Sequence, residues 1–249
     1  MLPIYDRNPT RRAAVITAGL ILANLVVFLY MLFLDRAQNE IFFYRFSVVP
    51  WEIVHAKPLP LSALRELFSF SLTAAPSKQV YLPLLTSMFL HDGWMHILGN
   101  MLFLWIFGNN VEEVMGHLPF LAFYLACGVF GTLAHVAVYP SSISPLLGAS
   151  GAISGVLGSY LLLYPRALVY TIVFFVVIPV PAFVVIGSWI LLQFLQGLTS
   201  IAEGMSTGTA WFAHLGGVTA GILLTAIFYP LLRRRRDALF LASREDWGA

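Results

Sequence analysis

The sequence contains few charged residues and almost no cysteine. Only 10% of its 249 residues are charged, and Cys127 is the single cysteine. A soluble domain usually carries about 25% charged residues, so this composition is not typical of a water-soluble protein. One cysteine excludes an internal disulfide and a cysteine-based metal cage. No HExxH string occurs, and His91 and His96 are five residues apart and do not share a helix face, which excludes a zinc protease of that type.

The hydrophobic content instead indicates a membrane protein. Hydrophobic residues make up 59% of the chain. A helix needs roughly 20 apolar residues to cross a bilayer, and the sequence contains several uncharged runs of about that length. The fifth and longest run contains Pro179 and Pro181, so we expect an extended or re-entrant entry and a helix that begins near Pro181. The runs cover residues 13–34, 93–111, 118–139, 146–164, 167–196 and 210–232.

These runs predict an all-α polytopic membrane protein, a bundle of six transmembrane helices that occupies residues 13–232. Residues 1–12 and 233–249 would flank this domain as short segments outside the membrane. The connection at residues 35–92 is long and mixes aromatic with charged side chains. We expect part of it to lie on the membrane surface as an amphipathic segment.

Arginines indicate the orientation of the chain. They cluster near both ends, and Arg166 lies between the fourth and fifth runs. Since cytoplasmic loops carry an excess of basic residues, both termini are predicted to be cytoplasmic and the loop at 35–92 external. A nucleic-acid-binding tail is the competing interpretation, but arginines beside a spanning helix are far commoner, so no nucleic-acid partner is expected. The clusters are Arg7, Arg11 and Arg12, and Arg233, Arg234, Arg235 and Arg236.

Ser150 is the candidate nucleophile. It lies between Gly148 and Gly151 at the start of the fourth run, shortly after Pro145. These glycines remove side-chain bulk around the hydroxyl and leave room for a substrate backbone to approach. Small residues, serine included, also line ordinary contacts between membrane helices, so the motif alone leaves a packing role open.

His214 is the candidate base. It lies early in the sixth run, and an ionisable side chain inside a membrane helix is costly enough to suggest a function. A histidine that only bonds a neighbouring helix is the alternative. His135 is a rival base near the outer end of the third helix, but no groove of small residues adjoins it.

Glycines spaced by four residues predict contact between the helices that carry these two candidates. Gly151 and Gly155 share a face of the fourth helix, and Gly217 and Gly221 share a face of the sixth. Small residues on facing helices let backbones approach closely. Such contact would bring the Ser150 hydroxyl within hydrogen-bond reach of the His214 imidazole, as a nucleophile and its base require.

His96 and Asn100 are four residues apart on the second predicted helix and therefore share a face. Both donate hydrogen bonds, as an oxyanion site requires, and loss of one such donor typically costs about 3 to 4 kcal/mol of transition-state stabilisation. A polar clamp between helices is the alternative. His91, next to Asp92, is interpreted as a solvated histidine at the membrane edge.

Three further polar residues receive no chemical role from the sequence. Glu112 closes the second helix and is interpreted as an interfacial charge or a structural hydrogen-bond partner. Trp189 and Gln193 are four residues apart on the fifth helix and are interpreted as packing or lining residues.

Depth in the membrane relates the candidates to one another. With both termini cytoplasmic, the second, fourth and sixth helices all run inward from the external face. At about 1.5 Å per residue, His96, Ser150 and His214 lie roughly 6, 7 and 9 Å below the polar breaks that open their helices. All three therefore occupy the outer third of the bilayer, where water can reach them.

Four strings resemble the rhomboid proteases. HDGWMHILGNMLFLWIFGNNVEEVMG, at 91–116, is similar to the second-helix signature of the bacterial members. GASGAISGVLG, at 148–158, resembles their nucleophile motif, and AHLGG, at 213–217, their base motif. PAFVVIGSWILLQ, at 181–193, resembles their fifth helix. The strings occur in the family's order, which makes the resemblance specific.

The resemblance implies an intramembrane serine endopeptidase that uses a Ser–His dyad and needs neither cofactor nor metal. Ser150 matches the nucleophile and His214 the base. His96, Asn100 and the backbone N–H of Ser150 match the oxyanion site. Gly148 is assigned to the same oxyanion and substrate-binding site, and Glu112 matches a structural position. One departure is that the external loop lacks the Trp–Arg pair of some members, which leaves its anchoring open.

The resemblance also implies partners and a location. Substrates would be single-span membrane proteins, cleaved near the outer boundary of a bacterial inner membrane. A transporter or channel is the rival class, but it predicts ionisable residues at the midplane and internal symmetry, and neither is visible. A non-catalytic relative that binds membrane helices is disfavoured by the intact Ser150 and His214. Nothing in the sequence indicates an oligomeric state.

Overall fold

The computed structural model describes residues 1–8, 10–68, 73–202 and 210–245, without the side chains of 240 and 242–245. Most of this part of the chain is helical, and three strands form one small sheet. The helices are α1 Val15–Leu32, α2 Arg36–Phe46, α3 Pro50–His55, α4 Leu61–Leu67, α5 Pro83–Thr86, α6 Trp94–Met115, α7 His117–Val138, α8 Ser150–Leu163, α9 Ala182–Ala202, α10 Trp211–Ile227 and α11 Tyr229–Glu245. The strands are β1 Leu2–Asp6, β2 Leu168–Val173 and β3 Val176–Pro181.

Apolar helices form the bundle, and this confirms the predicted helical membrane fold. Helices α1, α7 and α9 are each long and apolar enough to cross a bilayer, with mean hydropathy values of 2.4, 1.8 and 1.7. Helices α10 and α11 meet the same requirement together, as a pair bent by 81°, and α8 is a shorter apolar helix. The six predicted runs correspond to α1, α6, α7, α8, α9 and α10, while their number as complete spans stays a prediction.

Helix α8 lies at the centre of the bundle. Every residue from 151 to 160 is buried, and α8 packs against α6, α7 and α10. Phe107, Phe120, Tyr124 and Tyr160 are the bulkiest fully buried side chains of this core. A helix enclosed on all sides holds its first residue, Ser150, in a fixed place at one end of the core.

The extended entry before the fifth helix is a β-hairpin. Strands β2 and β3 pair antiparallel, and β1 from the N-terminus adds to β2, giving the order β1-β2-β3. Phe174 and Phe175 form the turn, and both have positive φ, of 46° and 71°, as a two-residue hairpin turn of type I′ requires. Helix α9 begins at Ala182, directly after Pro181, as the prolines predicted.

The apolar run at 210–232 covers two helices. Helix α10 ends at Ile227, and α11 begins at Tyr229 at an angle of 81°. Pro230 has no backbone N–H to donate to the preceding turn, so it cannot continue α10. The segment predicted as a C-terminal tail is helical as far as Glu245.

The long connection between α1 and α6 is anchored by a buried ion pair. The Lys78 ammonium lies 2.6 Å from the Glu52 carboxylate, and both side chains are almost inaccessible to solvent. That carboxylate also accepts hydrogen bonds from the Tyr44 hydroxyl, at 2.8 Å, and from the backbone N–H of Leu59, at 2.9 Å. The Lys78 ammonium lies 4.2 Å from the Tyr44 ring centroid. Burial lowers the pKa of Lys78 and raises the pKa of Tyr44. This cluster holds the loop without the Trp–Arg pair.

Candidate active site

Ser150 and His214 meet between two central helices. Ser150 is the first residue of α8, and His214 lies in the first turn of α10. The Ser150 Oγ is 2.7 Å from the His214 Nε2, which is hydrogen-bond distance. The structure therefore brings together the two residues that the sequence proposed as nucleophile and base.

Glycines hold α8 and α10 in backbone contact. A Cβ added at Gly217 would overlap the carbonyl oxygen of Gly151, and one added at Gly221 would overlap that of Gly155. A Cβ at Gly155 would overlap the Cys127 side chain of α7. Only glycine allows this approach, and the approach sets the distance between the dyad residues.

Gly148 shapes the turn that enters α8. Its φ of 111° lies in the region that favours glycine, and a Cβ there would be only 2.7 Å from the His96 Nε2. Its backbone N–H donates to the Ser87 carbonyl oxygen at 2.8 Å. The absence of a side chain at Gly148 lets His96 lie against the loop just before Ser150.

His96 is oriented by Asp92. The His96 Nδ1 lies 2.6 Å from the Asp92 Oδ1. An ionised carboxylate only accepts hydrogen bonds, so Nδ1 carries a proton and donates it. The opposite ring nitrogen, Nε2, then points towards Gly148 and the entrance of α8.

Asn100 is held by His91, and this corrects the interpretation of His91 as solvated. His91 is only 1% exposed, whereas the neighbouring Asp92 side chain is 65% exposed. A 3₁₀ turn at Ser87–Phe89 precedes His91, and the chain then places these adjacent side chains in opposite environments. The Asn100 Nδ2 donates to the His91 Nε2 at 2.8 Å. Burial lowers the pKa of His91 to about 4, so the ring is neutral and accepts.

One amide hydrogen of Asn100 is used by His91, and the amide carries two. The second is available to a ligand in the adjoining cavity, which has a volume of about 480 Å³. Ligand pockets typically measure about 300 to 1,000 Å³. The polar side chains that line this cavity belong to Asp92, His96, Asn100, Ser150, Ser154, Trp189, Gln193 and His214.

Gln193 contacts the base, which the sequence did not reveal. Its Oε1 lies 3.0 Å from the His214 Nδ1, and the Trp189 ring centroid lies 5.7 Å from that of His214. The four-residue spacing placed Trp189 and Gln193 on one face of a helix. It gave no indication of which neighbouring helix that face would meet, so a role beside His214 could not be predicted.

His135, the rival base, lies in α7 beside Tyr139. It is buried in α7, and its ring lies 5.1 Å from the Tyr139 ring. The hydrogen-bond partner of the Ser150 hydroxyl is His214.

Among the described residues, no group of three or more His, Cys, Asp or Glu side chains is placed to hold a metal ion.

Glu112 joins two helices on the opposite side of the bundle. Its carboxylate accepts the backbone N–H groups of Ile16, at 2.9 Å, and Thr17, at 2.7 Å. It also accepts hydrogen bonds from the Thr17 hydroxyl at 2.7 Å and from the His117 Nδ1 at 2.6 Å. The first N–H groups of a helix lack partners within it, so Glu112 of α6 caps α1 from outside. This arrangement supports the structural role suggested for Glu112.

Comparison with known proteins agrees with this geometry. The model of the family described as Rhomboid domain matches residues 78–231 of this chain. This range includes α6 to α10 and both Ser150 and His214. The chain belongs to the rhomboid family. That family includes intramembrane serine proteases. Family membership and the several long apolar helices together show a multi-pass membrane protein. Its site lies wholly within the matched region.

Several rhomboid relatives are similar over part of their length. Rhomboid protein 1, mitochondrial, from Saccharomyces cerevisiae is 35% identical over 145 residues, 55% of this chain and 39% of that protein. Presenilin-associated rhomboid-like protein A, mitochondrial, from Danio rerio is 30% identical over 181 residues, which cover 70% of this chain and 45% of that protein. Rhomboid protease GluP from Bacillus subtilis is 45% identical over 78 residues, which cover 31% of this chain and 15% of that protein. The chain spans less than half the length of these relatives.

Proposed function

We propose that this rhomboid protein is an intramembrane serine endopeptidase with Ser150 as nucleophile and His214 as general base. The observation that carries the proposal is the 2.7 Å distance between the Ser150 Oγ and the His214 Nε2. A serine hydroxyl is a weak nucleophile until an adjacent base accepts its proton. The family membership and the names of its protease relatives support the same chemistry.

The reaction proceeds through an acyl-enzyme. As the Ser150 Oγ attacks a peptide carbonyl carbon, the His214 Nε2 takes the hydroxyl proton and then gives it to the departing amine. Water enters, loses a proton to His214 and attacks the ester. The proton returns to Ser150 when the acid product leaves, so the dyad is regenerated.

Three donors stabilise the oxyanion. The backbone N–H of Ser150 lacks an intrahelical partner because it opens α8, and it lies at the positive end of the helix dipole. The free amide hydrogen of Asn100 is the second donor. The third is His96, which donates through Nε2 when its ring carries both protons and Asp92 accepts the other. Donors aimed at developing charge usually supply the largest single part of catalysis.

The proposed substrates are single-span membrane proteins. In a spanning helix the peptide bonds are hidden within the helical hydrogen bonds, since lipid offers no other partners. Cleavage therefore favours substrates with small or helix-breaking residues near the external boundary, where unwinding is easiest. The cavity of about 480 Å³ beside the dyad provides space for a short extended segment.

We also propose that both termini face the cytoplasm. The arginine clusters near both ends support this orientation. A bacterial inner membrane remains the predicted location, although two of the relatives described above are named as mitochondrial. Reporter fusions at each terminus test the orientation, and activity of a periplasm-dependent reporter at either end contradicts it.

Reconstitution in lipid tests the proteolytic activity. Wild-type protein should cleave a single-span substrate that has helix-breaking residues near its outer boundary, and Ser150→Ala should abolish cleavage while leaving the fold intact. Ser159→Ala is the matched control, because Ser159 is buried in the same helix away from His214. Cleavage retained by Ser150→Ala refutes the proposal.

A further inference from the structure

The hydrogen bond between Gln193 and His214 determines which ring nitrogen of the base carries a proton. The Gln193 Oε1 lies 3.0 Å from the His214 Nδ1, and an amide oxygen only accepts hydrogen bonds. The Nδ1 atom must therefore be the donor. In a neutral imidazole, Nε2 is then unprotonated, and this is the atom that lies 2.7 Å from the Ser150 hydroxyl.

Gln193 lies on the buried face of α9. Gln193 is 7% exposed, whereas its neighbours Leu192 and Phe194 are 57% and 48% exposed on the outer face. A buried amide costs free energy unless it is hydrogen-bonded. The bond to His214 provides that compensation, and His214 is itself only 7% exposed.

A second side chain of α9 restricts the same imidazole. The Trp189 ring, one helical turn before Gln193, lies 5.7 Å from the His214 ring at an interplanar angle of 36°. Trp189 limits the tilt of the ring plane, and Gln193 fixes which edge of the ring, the one that carries Nδ1, faces α9. Two residues of one helix thus hold a base that belongs to another.

We propose that Gln193 is a positioning residue that orients His214 towards Ser150. The inference rests on the proposed protease function. Its role is to hold His214 in the tautomer and rotation that leave Nε2 free to accept the Ser150 proton. An amide orients the ring as a triad aspartate does, but it does not neutralise the imidazolium that forms during the reaction.

Steady-state kinetics in lipid test the inference. Gln193→Met keeps the length of the side chain and removes the oxygen, so kcat should fall about 10- to 100-fold while KM stays within about twofold. This loss is smaller than the roughly 10⁴-fold that follows loss of a correctly oriented triad carboxylate. Gln193→Glu restores an acceptor and should recover at least part of kcat. Gln196→Met is the matched control, since Gln196 is exposed on the same helix, and it should retain wild-type kcat.

A spectroscopic measurement separates this inference from the protease proposal. Nitrogen NMR of ¹⁵N-histidine-labelled protein reports the protonated ring nitrogen without any substrate. Wild-type His214 should show the Nδ1–H tautomer alone, and Gln193→Met should show a mixture with Nε2–H. Wild-type kcat in Gln193→Met, or an unchanged tautomer in that variant, overturns the positioning role. If the wild-type protein cleaves nothing, the protease proposal fails while the tautomer result still decides the role of Gln193.

Discussion

The Glu112 carboxylate of α6 accepts the backbone N–H of Thr17 in the first turn of α1, at 2.7 Å. No side chain of α1 itself caps this end of the helix. Because the carboxylate also receives the Ile16 N–H and the Thr17 hydroxyl, a single residue satisfies three donors that lipid cannot. The first turn of α1 is therefore capped by one side chain from another helix.

Replacing Glu112 should destabilise the bundle. Glu112→Ala leaves these donors unpaired, and loss of a cap together with burial of unpaired groups costs about 2 to 3 kcal/mol. The thermal unfolding midpoint in detergent should fall accordingly. Glu113→Ala is the control, because the Glu113 carboxylate accepts hydrogen bonds from the exposed backbone N–H groups of Arg11 and Arg12. Equal midpoints for the two variants would contradict the capping role.

The contact between α8 and α10 should tolerate no added methyl group. A Cβ at Gly217 would overlap the Gly151 carbonyl oxygen, so Gly217→Ala must push the helices apart and lengthen the bond between Ser150 and His214. Proteolytic activity should fall by more than about tenfold, since misplacement by about 1 Å costs roughly 100-fold. Gly19→Ala is the control, because nothing lies within 4 Å of the added atom. Full activity in Gly217→Ala would show that the glycine contact does not set the dyad distance.

The ion pair in the connection between α1 and α6 should show strong coupling. Lys78→Met leaves the buried Glu52 carboxylate without its cation and should cost about 3 to 5 kcal/mol of unfolding free energy. The double variant Glu52→Gln with Lys78→Met removes both charges and should be less destabilised than Lys78→Met alone. Lys57→Met, at an exposed position of the same loop, loses only a contact at 5.5 Å with the Trp51 ring centroid and should change stability by less than about 1 kcal/mol. Additive effects in the double variant would contradict a coupled pair.

Asp6 should make the stability of the N-terminal strand depend on pH. Its carboxylate accepts the Tyr160 hydroxyl at 2.6 Å and the Asn110 amide at 3.0 Å, and burial raises its pKa from 3.8 to about 6. The folded protein therefore binds this proton more tightly than the unfolded chain. The contribution of Asp6 is complete below pH 3.8 and is lost as the pH rises through about 6.

Thermal unfolding of wild type and Asp6→Asn between pH 4 and pH 7 tests this dependence. The difference in midpoint, wild type minus Asp6→Asn, should decrease from pH 4 to about pH 6 and then level off. The difference is the correct quantity because His91, whose pKa burial lowers to about 4, changes stability with the opposite sign over the same range. A constant difference would show that Asp6 keeps an ordinary pKa in the folded protein.

The sequence predicted the bundle and the dyad because their signals are local. Apolar length identifies a membrane helix, and glycines four residues apart identify a face that another backbone can approach. Ser150 and His214 each adjoin such a face, so their meeting followed from the glycine pattern and the depth of each residue. The four-residue spacing of His96 and Asn100 suggested an oxyanion site, and the family resemblance supported that proposed role.

The hairpin and the last helix were missed for two different physical reasons. Pro179 and Pro181 separated this entry segment from α9, but residues 168–181 are as apolar as a spanning helix, so composition did not identify them as paired strands. The turn at Phe174 and Phe175 has positive φ without the glycine or asparagine that usually marks it. At the other end, Pro230 breaks an apolar run that reads as continuous, and the helix resumes in a new direction.

The roles of His91 and Gln193 depend on side-chain direction in three dimensions. His91 adjoins a charged residue in sequence, yet a turn directs it inward to the Asn100 amide. Gln193 reaches His214 only because α9 is rotated so that this position faces α10. Neither the turn nor the rotation has a signal in one sequence.

Labelling with a fluorophosphonate probe tests the central claim most directly. The probe reacts with a serine hydroxyl only where a neighbouring base activates it. Peptide mapping of labelled wild-type protein in lipid should find the modification on Ser150 alone, and His214→Ala should abolish it. Equal labelling of His214→Ala, or modification of another serine in place of Ser150, would contradict a nucleophile activated across the contact between α8 and α10.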